Sequence, residues 1–374
     1  KQRSQQWLAY AFSFLKNENA DVVGKEKETN SFTFADDMYY GDRDVNYDSK
    51  EWNELSYNTF MQGQYNEDNF NQAWTMCYKG IYQASVFINN IDMNTEMTDK
   101  ERLDYKGQAR FVRAYYYWLL LRRYGPVPIV PNEGIDYTQS YEQIAIPRNS
   151  YEEVVDYISN EMIQAAKEIQ YTKRDGENCA RPTKGACLAT RALALIYSAS
   201  PLANGNNDTY AKSLVDDKGK ALLNSTYKEE KWAKAAAACK DVMELGVYDL
   251  YHASFNTTEA VGDPKTIIPA DSTCIFAQNT WPKGWKDIDP FKSYRVLFSG
   301  DIAPEDNTEL IFSRIDQNAT EINHSMKSFA RHSMPRDFGG WNTHGLTQKM
   351  VDAYYMNDGS DCPGKDRELN GGNG

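Results

Sequence analysis

No stretch of this 374-residue chain is apolar for long enough to cross a bilayer. The most apolar segment, Phe111 to Leu121, falls far short of the ~20 residues that a spanning helix needs, and Arg113 interrupts it. Basic clusters are also missing. With 41 Lys and Arg against 53 Asp and Glu, the net charge of -12 repels phosphate backbones, which excludes a nucleic-acid partner. The six cysteines form no Cys-x-x-Cys and no Cys/His pair of zinc spacing, and the four histidines share no metalloprotease or triad pattern. No nucleophile elbow is present either, so the chain carries no sequence signature of catalysis and is read as a non-enzyme. A carboxylate pair assembled by the fold is the one enzymatic arrangement that sequence spacing does not forbid. The chain opens at Lys1 without Met or an apolar leader, so a targeting segment is expected to be absent or already removed.

What is there suffices for a large core, since 41% of residues are hydrophobic. A core of that size needs no staples, so the cysteines read as buried thiols, with Cys179 and Cys187 the exception if any pair bonds. The chain is organised around residues 107–131. From Phe111 to Leu121 every residue except Arg113 is apolar or aromatic, which leaves no face for water and predicts a helix covered on most sides. Gly125 supplies its C-terminal cap, and Pro126 and Pro128 forbid continuation. Arg113, flanked by apolar neighbours, must find a buried partner.

Capped helices recur on both sides. Trp7, Ala11, Phe14 and Leu15 share a face in residues 2–17, and Phe70, Trp74, Tyr78, Ile81, Tyr82, Ser85 and Ile88 share one from about residue 68 to Ile91. Thr98 with Glu101 forms a capping box, which makes the helix before it and the 107–131 helix an antiparallel pair. Ser150 with Glu153 caps a helix to about Ile169, Thr183 precedes one running to Ser198, and Thr226 with Glu229 precedes one ending at Gly246. Paired, capped helices predict an all-α helix-pair repeat scaffold over 1–250, interrupted by an aromatic-rich polar loop at 29–64. After residue 251 helical periodicity fades until Leu346, so 251–374 is expected to be a loop-rich part packed on that scaffold.

Several of these passages carry a family resemblance. Ala109-Arg-Phe-Val-Arg-Ala-Tyr-Tyr-Tyr117 followed by Arg123-Tyr-Gly-Pro-Val-Pro128 resembles the signature helix of the SusD/RagB family, with Gln108 where the family usually has Glu. Arg181-Pro-Thr-Lys-Gly-Ala186, Ser200-Pro-Leu-Ala-Asn-Gly205, the Trp232 helix with Tyr248-Asp-Leu-Tyr251, Asn307-Thr-Glu-Leu-Ile-Phe312 and Leu346–Tyr354 through Asp358-Gly359 resemble later landmarks in the right order. Leu346, at an expected helix start, replaces the family's usual Pro. The resemblance implies a tetratricopeptide-like scaffold in one domain overall. It further implies a cell-surface glycan-binding lipoprotein of Bacteroidetes-type bacteria, held to the outer membrane by an N-terminal lipid anchor absent from this chain. Its implied partner is a SusC-like TonB-dependent transporter. Family chains continue beyond the Asp-Gly landmark, so this one is expected to lack a C-terminal tail.

Sugar rings present apolar C–H faces for aromatic stacking and hydroxyl rims for polar partners. The loops hold both, and Trp52, Trp281, Trp285, Tyr294, Trp341 and Asn342 are the expected ligand-binding residues. Phe338-Gly-Gly-Trp341 adds glycines that would let backbone approach a ligand. Asp42, Asp44 and Asp48 alternate as calcium ligands do, although Tyr47 and Asn53 replace the Gly and Glu of an EF-hand, so a looser structural calcium site is the metal expectation. No other cofactor is expected. Gly359–Lys365 matches phosphate-loop spacing, but Asp366 would repel phosphate, and an exposed turn is the better reading. Two alternatives stand beside glycan capture: a peptide-binding helical-repeat uptake protein, and a glycan-cleaving enzyme.

Overall fold

The computed structural model describes residues 1–15, 38–40, 73–136, 138–173, 178, 180–254, 275–299, 301–313, 333–340, 344–356 and 360–361, with backbone alone at 38–40 and 344. The chain is mainly helical and divides into two compact units. One holds residues 1–15, 73–251 and 294–315, and the other holds 16–72, 252–293 and 316–374. None of the helices described is long and apolar enough to cross a membrane.

In the first unit α1 (Gln2–Phe12) is followed by α2 (Trp74–Asn90), α3 (Asp99–Tyr124), a single turn α4 (Tyr141–Ile144), α5 (Tyr151–Glu168), α6 (Lys184–Ala199), a short α7 (Thr209–Ser213) and α8 (Glu230–Met243). Each long helix packs chiefly on its chain neighbours, α2 on α3, α3 on α5, α5 on α6 and α6 on α8, which is the stacking of a helix-pair array. Three N-termini form as their sequences dictate. Thr98 and Ser150 each accept from the backbone of the Glu three residues on while that Glu accepts from the cap, and Thr183 accepts from the Ala186 N–H. The expected cap at Thr226 does not form: α8 begins at Glu230, and the Thr226 N–H donates instead to Asn224 Oδ1 at 2.9 Å, closing a turn before the helix.

α3 is covered almost all round. From Phe111 to Leu121 only Tyr115 keeps partial access to solvent. Close approach of its neighbours depends on small residues: a Cβ on Gly80 of α2 would stand 2.3 Å from the Tyr116 ring, and one on Gly107 would stand 2.9 Å from the Ile169 backbone N. The helix stops where expected, with Gly125 at a φ of 67° and its N–H on Leu121 O at 3.0 Å. The segment that follows is pinned by side-chain hydrogen bonds. Tyr78 donates its hydroxyl to Pro128 O at 2.7 Å, Val130 N–H donates to Tyr117 Oη at 2.9 Å, and Ile129 N–H donates to Asn149 Oδ1 at 2.9 Å. Burial pushes the Tyr117 hydroxyl up to about 12, so it stays protonated.

Arg113 is 1% exposed and bonds Glu161 of α5 at 2.5 Å. Arg110, one helical turn earlier, bonds both Glu161 at 3.1 Å and Glu168 at 3.0 Å. Burial works against the Arg110 charge, yet its bonds to Glu168 and the field of Glu161 hold its pKa above the usual arginine value. Gln108, at the position where the family's Glu stands, donates to buried Asp104 at 2.7 Å, and Asp104 accepts from the Gln170 N–H at 2.9 Å. The amide thus supplies the donor that a carboxylate could not.

Two faces differ from their sequence assignment. Trp7 is 42% exposed and donates to Gln83 at 3.2 Å, while Leu8 and Ala11 carry the core contacts of α1. Tyr82 is 53% exposed because Cys77, Ala84 and Phe87 turn the buried stripe of α2 away from it.

The later family landmarks close on one another. Tyr248 covers Gly185 at the start of α6, where a Cβ would meet its hydroxyl at 2.1 Å. Asp249 N–H donates to Thr308 O at 3.2 Å and Tyr251 N–H to Glu309 Oε1 at 2.9 Å. Phe312 meets Phe111 edge-on at 5.3 Å. Buried Asn204 ties the Ser200–Gly205 turn to the entry of α8, accepting from Lys228 N–H at 2.8 Å.

The second unit contains two small antiparallel ladders. β1 (Met38–Tyr40) pairs with β4 (His344–Leu346), and β2 (Ala253–Ser254) pairs with β3 (Ile288–Asp289). It also holds α9 (Ile275–Gln278) and, after β4, α11 (Gln348–Asp352), while the boundary between units falls within α10 (Pro290–Ser299). Leu346 therefore ends a strand rather than starting a helix, and the cap of α11 is Thr347, which accepts from Met350 N–H.

Arg113→Ala leaves Arg110 as the only partner of Glu161 among the described residues and opens a void in the core, so it is expected to destabilise the chain by about 3 kcal/mol in chemical denaturation. A denaturation midpoint equal to the parent's would show that the cluster is dispensable. A second expectation concerns acid. Lys220 and the Ser150 N–H hold Glu153 at about 2, below its ordinary 4.5. A depressed carboxyl stabilises fully above its unfolded pKa, and that contribution fades as pH falls from 4.5 toward 2. Glu153→Gln keeps the capping box but loses the charge, so thermal midpoints of parent and variant should be separate at neutrality and converge across that window. A constant gap down to pH 2 would contradict the assignment.

Candidate functional site

Three aromatics of the second unit, Phe276, Trp281 and Trp285, lie on the loop from Ile275 to Asp289. α9 is a single turn, after which the chain doubles back on itself. Trp285 N–H donates to Phe276 O at 2.9 Å, Lys286 N–H to Asn279 O at 3.1 Å and Gly284 N–H to Thr280 O at 3.0 Å. Gly284 is required here, since a Cβ would lie 2.1 Å from Phe276 O and 2.4 Å from Asn279 O. Trp281 N–H donates to Asp287 Oδ1 at 2.8 Å, which closes the loop's far end, and the Trp281–Pro282 peptide is cis. The β2–β3 ladder then sets Ala253 opposite Asp289 and so brings His252 to the same loop.

Two ring pairs result. Trp281 stacks on His252 at 5.2 Å with 27° between planes, and Trp285 stacks on Phe276 at 6.0 Å with 22°. Both tryptophans are half-buried, and Phe276 is exposed. A ring held against another on one face and reachable by solvent elsewhere is a preorganised stacking surface, because its rotamer is fixed before a ligand arrives. Asn279, Lys283, Lys286 and Asp287 are exposed around it and supply donors and acceptors.

Of the expected residues, Trp281 and Trp285 are thus brought into one loop. Tyr294 is not a loop residue: it lies on α10, belongs to the first unit, is 69% exposed and packs against Phe298 at 5.1 Å. The helix escaped the sequence reading because Phe291, Tyr294 and Phe298 mark a face only ten residues long. Trp52, Trp341 and Asn342, and the candidate calcium ligands Asp42, Asp44 and Asp48, lie outside the described residues. So does Cys179, the suggested partner of Cys187. The glycines before Trp341 answer to the chain itself. Gly339 takes a φ of 79° after a short 3-10 turn, and a Cβ on Gly340 would lie 2.0 Å from Met334 O, so a local turn requires them. His252 and Phe276 went unseen in the sequence. A stacking partner delivered by a two-residue ladder leaves no periodic signal.

Residues 15–197 match the profile of a SusD-like family described as starch-binding and associating with the outer membrane. A SusD-like protein of Bacteroides ovatus is 26% identical over 153 residues, covering 40% of this chain and 25% of that protein. Among solved structures, the protein named BT4246 is 25% identical with a TM-score of 0.55, over 67% of this chain and 41% of that one. A SusD-like protein from Bacteroides fragilis shares the fold at 18% identity, with a TM-score of 0.60 over 96% of this chain and 53% of that one. The chain spans about half the length of that last structure and a quarter of the curated relative. The signature helix, the ordered landmarks and the array built on them agree with these matches, which together support the SusD-like (SusD/RagB) family for this chain.

Proposed function

We propose that this protein binds oligosaccharides without cleaving them, as the ligand-capturing component of a nutrient-uptake system at the outer membrane. The observation that carries the reading is the Trp281–Trp285 loop, where each indole is fixed against a second ring beside exposed amide, ammonium and carboxylate groups. Ring faces of this kind take the apolar C–H surface of a pyranose, and the polar groups around them select among hydroxyl patterns. Trp52, Trp341 and Asn342 are proposed to extend the same ligand surface. The helical array over 1–250 serves as the scaffold and 251–374 as the part that presents the ligand loops. The family supports the rest of the proposal. The mature protein is held to the outer membrane by a lipid anchor, faces the cell exterior and hands its ligand to a SusC-like TonB-dependent transporter.

Trp281→Ala and Trp285→Ala are each expected to weaken binding of the best oligosaccharide by about 1 to 3 kcal/mol in calorimetric titration, the range for truncating an anchoring aromatic. Neither ring belongs to the main helical core, so thermal midpoints should move little. The bound sugar should be recovered at unchanged length. Parent-like affinity in both variants would remove this loop from the site, and shortened products would replace capture by hydrolysis.

A further inference from the structure

The first unit carries an open cleft of about 610 Å3 between α1 and α2. α1 and the turn after it contribute Tyr10 and Phe14, and α2 contributes Trp74, Tyr78 and Tyr82. The α2 rings follow one another at i, i+4 and i+8, so they climb the helix in steps of about 6 Å, comparable with the length of a pyranose ring. Most of the ladder is held rigid from behind. Trp74 lies edge-on to Tyr124 at 5.3 Å and at 5.0 Å from Tyr78, whose hydroxyl is already committed to Pro128 O. Tyr10 packs edge-on to Phe14 at 5.1 Å on the facing wall. Tyr10 and Tyr82 remain 51% and 53% exposed, so the cleft's apolar surface is offered to solvent as aromatic rings.

We propose that this cleft is a second oligosaccharide-binding site, taking a neutral chain of pyranose rings. The chemistry of the lining selects that ligand class. Among the described lining residues there is no Leu, Ile, Val or Met, the aliphatic anchors into which an amphipathic partner helix would pack. Those described residues include one cation, Lys79, and no carboxylate, which gives a highly charged ligand little to pair with. Gln83 is oriented by accepting from Trp7 Nε1 at 3.2 Å, which leaves its amide N–H groups to donate to sugar hydroxyls. Stacking faces with a few fixed polar groups are what a neutral glycan requires. The inference rests on the glycan-binding reading for its ligand class, but on different residues in the other unit. It gives the protein a second station for the same ligand class.

The test is isothermal titration of the whole protein with maltoheptaose, laminarihexaose and xylohexaose. The variants are Tyr10→Ala/Tyr82→Ala, Tyr82→Trp and Trp281→Ala/Trp285→Ala. The parent should show two binding events per chain with at least one of the sugars. The double tyrosine variant, cut at exposed positions that leave the core intact, should lose roughly tenfold in affinity for one event. Tyr82→Trp keeps a ring there and should retain that event, and the loop variant should leave it unchanged. Parent-like titrations from the double tyrosine variant would overturn the cleft site while the loop reading stands. A loop variant that binds like the parent, beside a tyrosine variant that loses binding, would overturn the loop reading while the cleft stands. A parent that takes up none of the three sugars would overturn both.

Discussion

The interaction on which the scaffold depends is the charged cluster between α3 and α5, where Arg110 and Arg113 share Glu161 and Arg110 also reaches Glu168. A helix apolar on every side could slide or rotate against its neighbours at little cost, because dispersion and burial are non-directional. Two guanidinium groups one turn apart, meeting carboxylates on one facing helix, admit a single register. Retaining such a cluster in a core is a poor source of net stability but a strong source of specificity, the role that buried polar groups take in coiled coils. The rest follows from α3 being fixed. α2 approaches through Gly80, the Pro-rich segment is pinned to Tyr78 and Tyr117, and Phe312 returns to Phe111.

Much of this was legible in the sequence, for reasons that differ by element. α3 announces itself by composition, its caps by Thr98, Glu101 and Gly125, and α5 and α6 by Ser150 and Thr183, because capping chemistry is local and needs few residues. Faces were less legible. Tyr82 fits the same 3.6-residue period as Ile81 and Ser85, and only the position of α1 and α3 decides which of these side chains faces inward. Thr226 has cap chemistry, but Asn224 takes its N–H first and the helix begins four residues later.

The candidate site was legible only in part. Trp281 and Trp285 are recognisable as aromatics in a polar segment, and the turn they need is written in Gly284. Their ring partners could not be read. His252 lies 29 residues before Trp281, a separation set by the β2–β3 pairing rather than by any spacing rule. Phe276 lies nearer, but α9 is one turn long and its fold-back is governed by backbone carbonyls, which sequence does not display. The family motifs have a physical basis in these contacts. Gly185 is small because Tyr248 lies on it, and the Asn307–Phe312 landmark carries the bonds to Asp249 and Tyr251.

The return of residues 294–315 to the helical array alters how such a protein should come apart. A stack in which each helix touches chiefly its chain neighbours has low contact order, and it can fray one hairpin at a time from an open end. Phe312 against Phe111, together with Thr308 and Glu309 bonded to the exit from α8, joins positions about 200 residues apart in the chain to the middle of that stack. The loop so closed links the last repeat to the central helix. Fraying of α8 is thereby coupled to contacts on α3, and an array that would melt piecemeal gains cooperativity from its own distant segment.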